Sequence, residues 1–349
     1  MGAATKDALD QIDDVARDGD LSVAPLIDLD EFDLECSTPP IELPDGKRIY
    51  PPTLFGEPIH ELAARLLDMK DPAASKFLKL IGPPGTGKSQ IARAIAHLLW
   101  TRRGNEIAER HGEPFYGFVE ISGGPSSDEF LFKYDYVAKE DGTVSMVDAA
   151  FVEAMRNGWV VMIDEVNTIR DVALLSINST LDGRLTLYLP STGETVRAAP
   201  GFAVMIAYNP GLVGADDIPD AWFSRFPATL EVTSNWAALA HLGAPKPLVA
   251  AAMDLDAKRV NAGADTGLIW TPQFRDIEAL WHMIDRVGER PAISLFVSRI
   301  HEQVEAGRIQ PAEGEAVTRM LDSAGYGKYR VLEESRTPNL NGYPRAVTG

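Results

Sequence analysis

Eight consecutive residues, Gly82-Pro83-Pro84-Gly85-Thr86-Gly87-Lys88-Ser89, carry the first chemical signal of this chain. They fit a phosphate-binding pattern: glycine, four residues, a second glycine, lysine and a hydroxyl residue. The glycines allow positive φ and close approach of backbone N–H groups to an anion. Lys88 brings a mobile positive charge for the β- and γ-phosphates, and the Ser89 hydroxyl can ligate Mg²⁺. A second signal is Trp159-Val160-Val161-Met162-Ile163-Asp164-Glu165, an apolar run ending in two carboxylates. Asp164 suits a magnesium ion held through water, and Glu165 suits a base that orients an attacking water.

Three further residues are candidates. Asn209, in Tyr208-Asn209-Pro210-Gly211, ends an apolar run. An amide there can bond both a terminal phosphate and a water, because it donates and accepts; Asn-Pro-Gly is equally a plain turn. Arg225 lies between aromatics in Pro219-Asp220-Ala221-Trp222-Phe223-Ser224-Arg225-Phe226, either stacked at the surface or offered to a neighbouring subunit. Arg275 falls in the first turn of a helix predicted to start at Thr271-Pro272. A positive charge there opposes the helix dipole by roughly 0.3–1 kcal/mol, and a residue set against local preference invites a functional reading.

The elements that must position these residues are legible from periodicity. Phe77 to Ile81 reads as a buried strand, and Gln90 to Trp100 as a helix whose positive end faces the phosphates. Further strands are expected at 115–121, 159–163, 202–207 and 228–232, with helices at 57–69, 147–157 and 171–181. Such alternation makes an α/β fold with a mostly parallel five-stranded sheet. Residues 124–146, with alternating Phe130, Phe132, Tyr134 and Tyr136, suggest an inserted aromatic hairpin, and 185–196 a second hairpin turning at Pro190-Ser191-Thr192-Gly193. Helices at 246–260, 272–286, 291–306 and 311–323 form a separate α-helical region.

Composition narrows the function classes. A net charge of −18 argues against a general nucleic-acid binder. Cys36 is the only cysteine, so no intrachain disulfide or cysteine-based zinc site is available. No apolar run reaches the length of a membrane span and no signal pattern opens the chain, which makes the cytoplasm the expected compartment. Residues 1–50 hold 13 acidic and 4 basic residues and read as a mobile acidic arm, with Leu9, Ile12, Val15 and Ala16 able to form one short helix. The expected division is therefore an arm at 1–50, an α/β nucleotide-binding domain at 51–233, a helical lid at 234–324 and a loose tail at 325–349.

With these motifs in order, the chain resembles an AAA+ ATPase over about residues 54–324, and within that group the MoxR branch. Its likeness is to the CbbQ/NorQ/gas-vesicle-N-like side, akin to the dynein-related type. The resemblance implies ATP and Mg²⁺ as cofactors, with Lys88 and Ser89 as Walker A and Asp164 and Glu165 as Walker B residues. Asn209 would be the sensor-1 polar residue, Arg225 an arginine finger entering the next subunit's site, and Arg275 the sensor-2 arginine of the lid. The family usually sets that lid arginine directly after Ser/Thr-Pro, whereas here Gln273 and Phe274 intervene; Arg170 and Arg184 are rival trans-acting arginines. The resemblance also implies a hexameric ring that remodels or activates a protein client, often with a von Willebrand A-type partner. No Asp-x-Ser-x-Ser segment occurs in this chain, so any such partner would be a separate protein.

Two rival readings stand beside this one. A nucleic-acid motor or restriction-subunit-like ATPase is disfavoured by the acidic charge. A small-molecule kinase or GTPase would not need a trans arginine, and the Asn-Lys-x-Asp guanine signature is absent.

Overall fold

The computed structural model describes residues 38–68, 76–124, 126–139, 141–209, 218–262 and 268–329. Most of the acidic arm, Cys36, Pro210, Gly211 and the end of the tail lie outside these residues. The described residues form two units, one ending at Asn235 and one running from Trp236 onward.

The first unit is built on five parallel strands: β1 (Phe77–Ile81), β2 (Phe118–Ser122), β3 (Val160–Asp164), β4 (Ala203–Tyr208) and β5 (Ala228–Glu231). Their order across the sheet is β5-β1-β4-β3-β2. Successive side chains of a strand point to opposite faces, so each central strand feeds two cores. Val161, Ile163, Val204 and Ile206 join Phe132, Phe151, Phe202 and Trp222 on one face. Leu78, Leu80, Val160, Met162 and Met205 face the other. There they meet helix α1 (Ile59–Leu67) and helix α2 (Lys88–Arg102) through Ile59, Ala63, Leu67, Ile91, Ile95 and Leu99. Burial on both sides explains why β3 and β4 read as unbroken apolar runs.

Several sequence expectations change in detail. Residues 38–50, placed in the arm, include a small hairpin (Ile41–Glu42 with Arg48–Ile49) whose Leu43 and Ile49 enter the second core. Phe115 belongs to a hairpin of Ala108–Arg110 with Glu113–Phe115, and β2 starts three residues later. The break is at Gly117, with φ +66°, where a Cβ would lie 2.4 Å from the Trp100 ring. In the aromatic insert, Phe130 and Phe132 lie on a helical turn (Phe130–Lys133), and Phe132 is fully buried against Phe151. The hairpin proper pairs Tyr134–Ala138 with Val144–Asp148. Helix α3 (Ala150–Asn157) precedes β3, and helix α4 (Asp171–Leu175) stops well before Leu181. Beyond it the backbone turns through bonds to the third residue back, such as Thr180 N–H to the Ile177 carbonyl, while Ile177 and Leu181 stay in the core.

The second unit holds helices α5 (Trp236–His241), α6 (Lys246–Ala262), α7 (Phe274–Val287), α8 (Glu289–Glu305) and α9 (Pro311–Ser323). Leu248, Ile277, Leu280, Phe296, Ile300 and Val317 form its core. Helix α7 begins two residues later than Thr271-Pro272 predicts. Gln273 is its N-cap, in a reciprocal capping box with Asp276. Thr271 instead donates its hydroxyl to Asp256 of α6 at 3.0 Å. A tertiary partner has displaced the local cap. Among the described residues no helix is long and apolar enough to cross a membrane.

Candidate functional site

The C-terminal ends of β1, β4 and β3, which are neighbours in the sheet, carry the phosphate loop, Asn209 and Asp164. Open parallel sheets place ligands at this edge. Leaving β1, the chain enters the loop at Gly82, whose φ is +151° and where a Cβ would lie 2.3 Å from the Val232 carbonyl oxygen. Only glycine fits there. Gly87, with φ +92°, is the N-cap residue of α2, so Lys88 and Ser89 occupy the helix's first turn. The free N–H groups and dipole of that turn favour an anion. The Thr86 hydroxyl bonds the Pro83 carbonyl at 3.0 Å, which braces the loop internally. Lys88 Nζ donates to the carbonyls of Gly82 and Pro83 at 2.7 and 2.9 Å.

Ser89 and Asp164 meet directly. The Ser89 hydroxyl donates to Asp164 Oδ2 at 3.0 Å, joining residues 75 apart in sequence. The other carboxylate oxygen, Oδ1, accepts the backbone N–H of Glu165 at 2.9 Å. Glu165 adopts the left-handed conformation, φ 48° and ψ 41°. For a non-glycine residue this costs of the order of 1–3 kcal/mol, and such strain concentrates at functional sites. The Glu165 side chain is exposed. Asn209 follows Tyr208, which pairs with Ile81, so the amide sits one strand over from the loop. A hydroxyl and a carboxylate in contact suit a hard cation completed by phosphate oxygens and water. No cluster of three or more His, Cys, Asp or Glu able to hold a metal alone occurs among the described residues.

Arg225 is held differently. Trp222 and Phe226 are fully buried, with ring centroids 4.9 Å apart, and Phe226 packs on Phe77 at 5.8 Å. Between them Phe223 lies edge-on to Tyr208 and carries Lys79 Nζ 3.8 Å above its ring. Burial pulls the Lys79 ammonium below the usual lysine range. Arg225 is therefore clamped by two anchored aromatics. Phe77 is the first residue of β1, whereas the phosphate loop follows the last. Five strand residues span roughly 13 Å, so the segment runs from Phe223, against Tyr208 at the loop's edge of the sheet, to Phe226 at the opposite edge, with Arg225 next to the Phe226 end.

The Arg225 Nη1 lies 4.0 Å from Asp182 Oδ2. That carboxylate also takes Arg184, whose Nε donates to Oδ2 at 2.9 Å and whose backbone N–H donates to Oδ1 at 2.9 Å. The Arg184 hydrogen bonds, aided by Arg225, hold the Asp182 carboxyl below the ordinary range. Arg170 is exposed at the N-cap of α4. Sequence reasoning named the three arginines and missed Asp182; the Asp182-Gly183-Arg184 turn was the available signal.

Arg275 belongs to the other unit, on the first turn of α7. The strand of chain leading to it is fastened twice. Asp256 Oδ1 accepts from Thr271, Gln273 Nε2 and Arg259 Nε at 3.0, 2.9 and 3.0 Å. Glu313, at the third position of α9, accepts the N–H groups of Ile269 and Trp270 at 2.7 and 2.5 Å, and that of Gln310 at 2.6 Å.

Comparison with known proteins finds likenesses over part of the chain. Residues 78–226 match the family described as the AAA domain of the dynein-related subfamily, a span that contains Lys88, Ser89, Asp164, Glu165, Asn209 and Arg225. An uncharacterized protein of Staphylococcus epidermidis is 31% identical over 156 residues, 44% of this chain and 54% of that protein. An uncharacterized protein of Staphylococcus haemolyticus is 30% identical over 154 residues, with the same shares. The chain spans about half the length of the curated relatives it matches. A solved chain from Cytophaga hutchinsonii, described as a candidate ATPase, is 12% identical with a TM-score of 0.36, covering 65% of this chain and 73% of that one. Residues 78–226 are thus similar to the AAA domain of the dynein-related subfamily, and they lie within an α/β P-loop fold followed by a helical region.

Proposed function

We propose that this chain is a magnesium-dependent ATPase of the MoxR type, working in a ring, hexameric by family likeness, to remodel or activate a protein client. The observation that carries the reading is the 3.0 Å contact between Ser89 Oγ and Asp164 Oδ2 beside the glycine loop. It gathers the hydroxyl and carboxylate that a nucleotide-bound cation needs. Ser89 and Asp164 would hold Mg²⁺, which when bound offsets the charge of the triphosphate. Lys88 would give up its loop carbonyls for the β- and γ-phosphates. Glu165 would orient the attacking water and take its proton, and Asn209 would bridge that water and the terminal phosphate.

Arg225 would serve the site of an adjoining copy, because Phe226 beside it packs on Phe77, the first residue of β1, whereas the loop of its own copy follows the last. A guanidinium supplied in trans is worth about 10³–10⁵ in phosphoryl-transfer rate, which couples turnover to assembly. Arg275 would take the sensor-2 role that the family likeness gives it. A client is favoured over nucleic acid by the net charge of −18, and a von Willebrand A-type protein is one candidate for it.

Glu165→Gln tests the reading. The variant should bind ATP and sediment as a ring while hydrolysis falls to background. Wild-type turnover would remove Glu165 from its role, and a monomer at every nucleotide condition would remove the ring.

A further inference from the structure

Asp182 has no part in the chemistry above, yet two of the three candidate trans arginines converge on it. Their contacts are unequal. Arg184 is forked onto the carboxylate through its side chain and its backbone N–H. Arg225 touches the same oxygen only at 4.0 Å, and its Nε is buried without a hydrogen-bond partner among the described residues. A half-buried guanidinium with one long ion pair and an unpaired N–H keeps donors to give. Arg184, two residues from its acceptor, has its fork already engaged.

We propose that Asp182 is a positioning residue for trans catalysis: it occupies Arg184 and aims the Arg225 head group at the triphosphate of the adjoining copy. This rests on the trans role given to Arg225 above. The three side chains lie on two stretches, 182–184 and 219–226, that share one core through Leu181, Leu187, Trp222 and Phe226. The carboxylate bridges those stretches on the outside of that core. Its position fixes the free end of Arg225, while Trp222 and Phe226 fix the near end. Asp182 also offsets one of two neighbouring positive charges, so that Arg184 does not push the Arg225 head away. Removing the negative charge frees Arg184 and leaves two cations to repel each other.

The test uses the full chain assembled with ATP and Mg²⁺. Asp182→Asn keeps the side-chain shape and an acceptor for the Arg184 N–H. It should lower kcat by about ten- to a hundredfold, the scale of a misplaced catalytic group, with KM for ATP and the sedimentation of the ring unchanged. The double variant with Arg225→Ala should be no slower than Arg225→Ala alone, since residues acting as a unit are non-additive.

Mixing Asp182→Asn subunits with Glu165→Gln subunits should raise the turnover per Asp182→Asn subunit, because the second type supplies an intact Arg225 without turning over itself. A merely structural defect would not be relieved that way. Wild-type kcat in Asp182→Asn, losses that multiply with Arg225→Ala, or no relief on mixing would each overturn the role of Asp182 alone. Wild-type kcat in Arg225→Ala would overturn the trans reading beneath it, and Asp182's role with it.

Discussion

Asp164 in the α/β unit and Asp256 in the helical unit are both carboxylates brought to the head of a structural element, and they are saturated to very different degrees. Asp256 is buried, and a single oxygen takes donors from Thr271, Gln273 and Arg259. Asp164 is half-buried at the mouth of the sheet, with one hydroxyl on one oxygen and one N–H on the other. A carboxylate has about four acceptor sites, so Asp164 keeps room for a cation shell. The contrast separates a carboxylate whose acceptor sites are taken up inside the fold from one that keeps sites open at the surface. A saturated acid reads as structure; an unsaturated one at a strand's C-terminal end reads as chemistry. Arg225 and Arg184 repeat the distinction with the opposite charge.

The contrast can be broken by substitution. The largest effect expected is on rate: Arg225→Ala should slow steady-state hydrolysis by about 10³–10⁵-fold and leave thermal unfolding almost unmoved. A large loss of stability with little loss of rate would return Arg225 to a packing role. Next comes Asp256→Ala, which leaves the Arg259 guanidinium without its buried partner. Breaking such a pair costs about 3–5 kcal/mol, so the helical unit should melt lower by roughly 10 °C or more. An unchanged melting temperature would mean that the network at the head of α7 is not what holds it. The smallest effect is Gly82→Ala. The new Cβ meets the Val232 carbonyl at 2.3 Å and a φ that side chains avoid, for a cost of about 1–3 kcal/mol. Nucleotide affinity, measured by titration with a fluorescent ATP analogue, should fall with it; full affinity would show that the loop tolerates a shift there.

Much of this molecule was legible before its structure. Strong local signals carried the glycine loop, the run into Asp164 and Glu165, and the five strands of the sheet, most plainly β3 and β4, where burial on both faces writes itself as an unbroken apolar run. The four long helices of the second unit were equally plain from their spacing. What escaped were features set by distant partners. Thr271 has the side chain of an N-cap, and only the position of Asp256 on another helix explains why Gln273 takes that place. Phe132 looked like one of four alternating aromatics, yet it is buried on a helical turn, edge-on to Phe151 from another helix. Asp182 was invisible as a partner for Arg225, since no local pattern links residues so far apart. Arg184 beside it drew attention only as a charge.

Glu313 gives the helical unit a property that no single hydrogen bond would. One side chain closes the capping box of α9 and also collects the amides of Ile269 and Trp270 on the stretch that leads into α7. That stretch cannot loosen without exposing a buried carboxylate, and α9 cannot fray at its start without releasing the stretch. The two therefore open as one cooperative block. Any displacement of the stretch that leads into α7 is therefore felt at the first turn of α9.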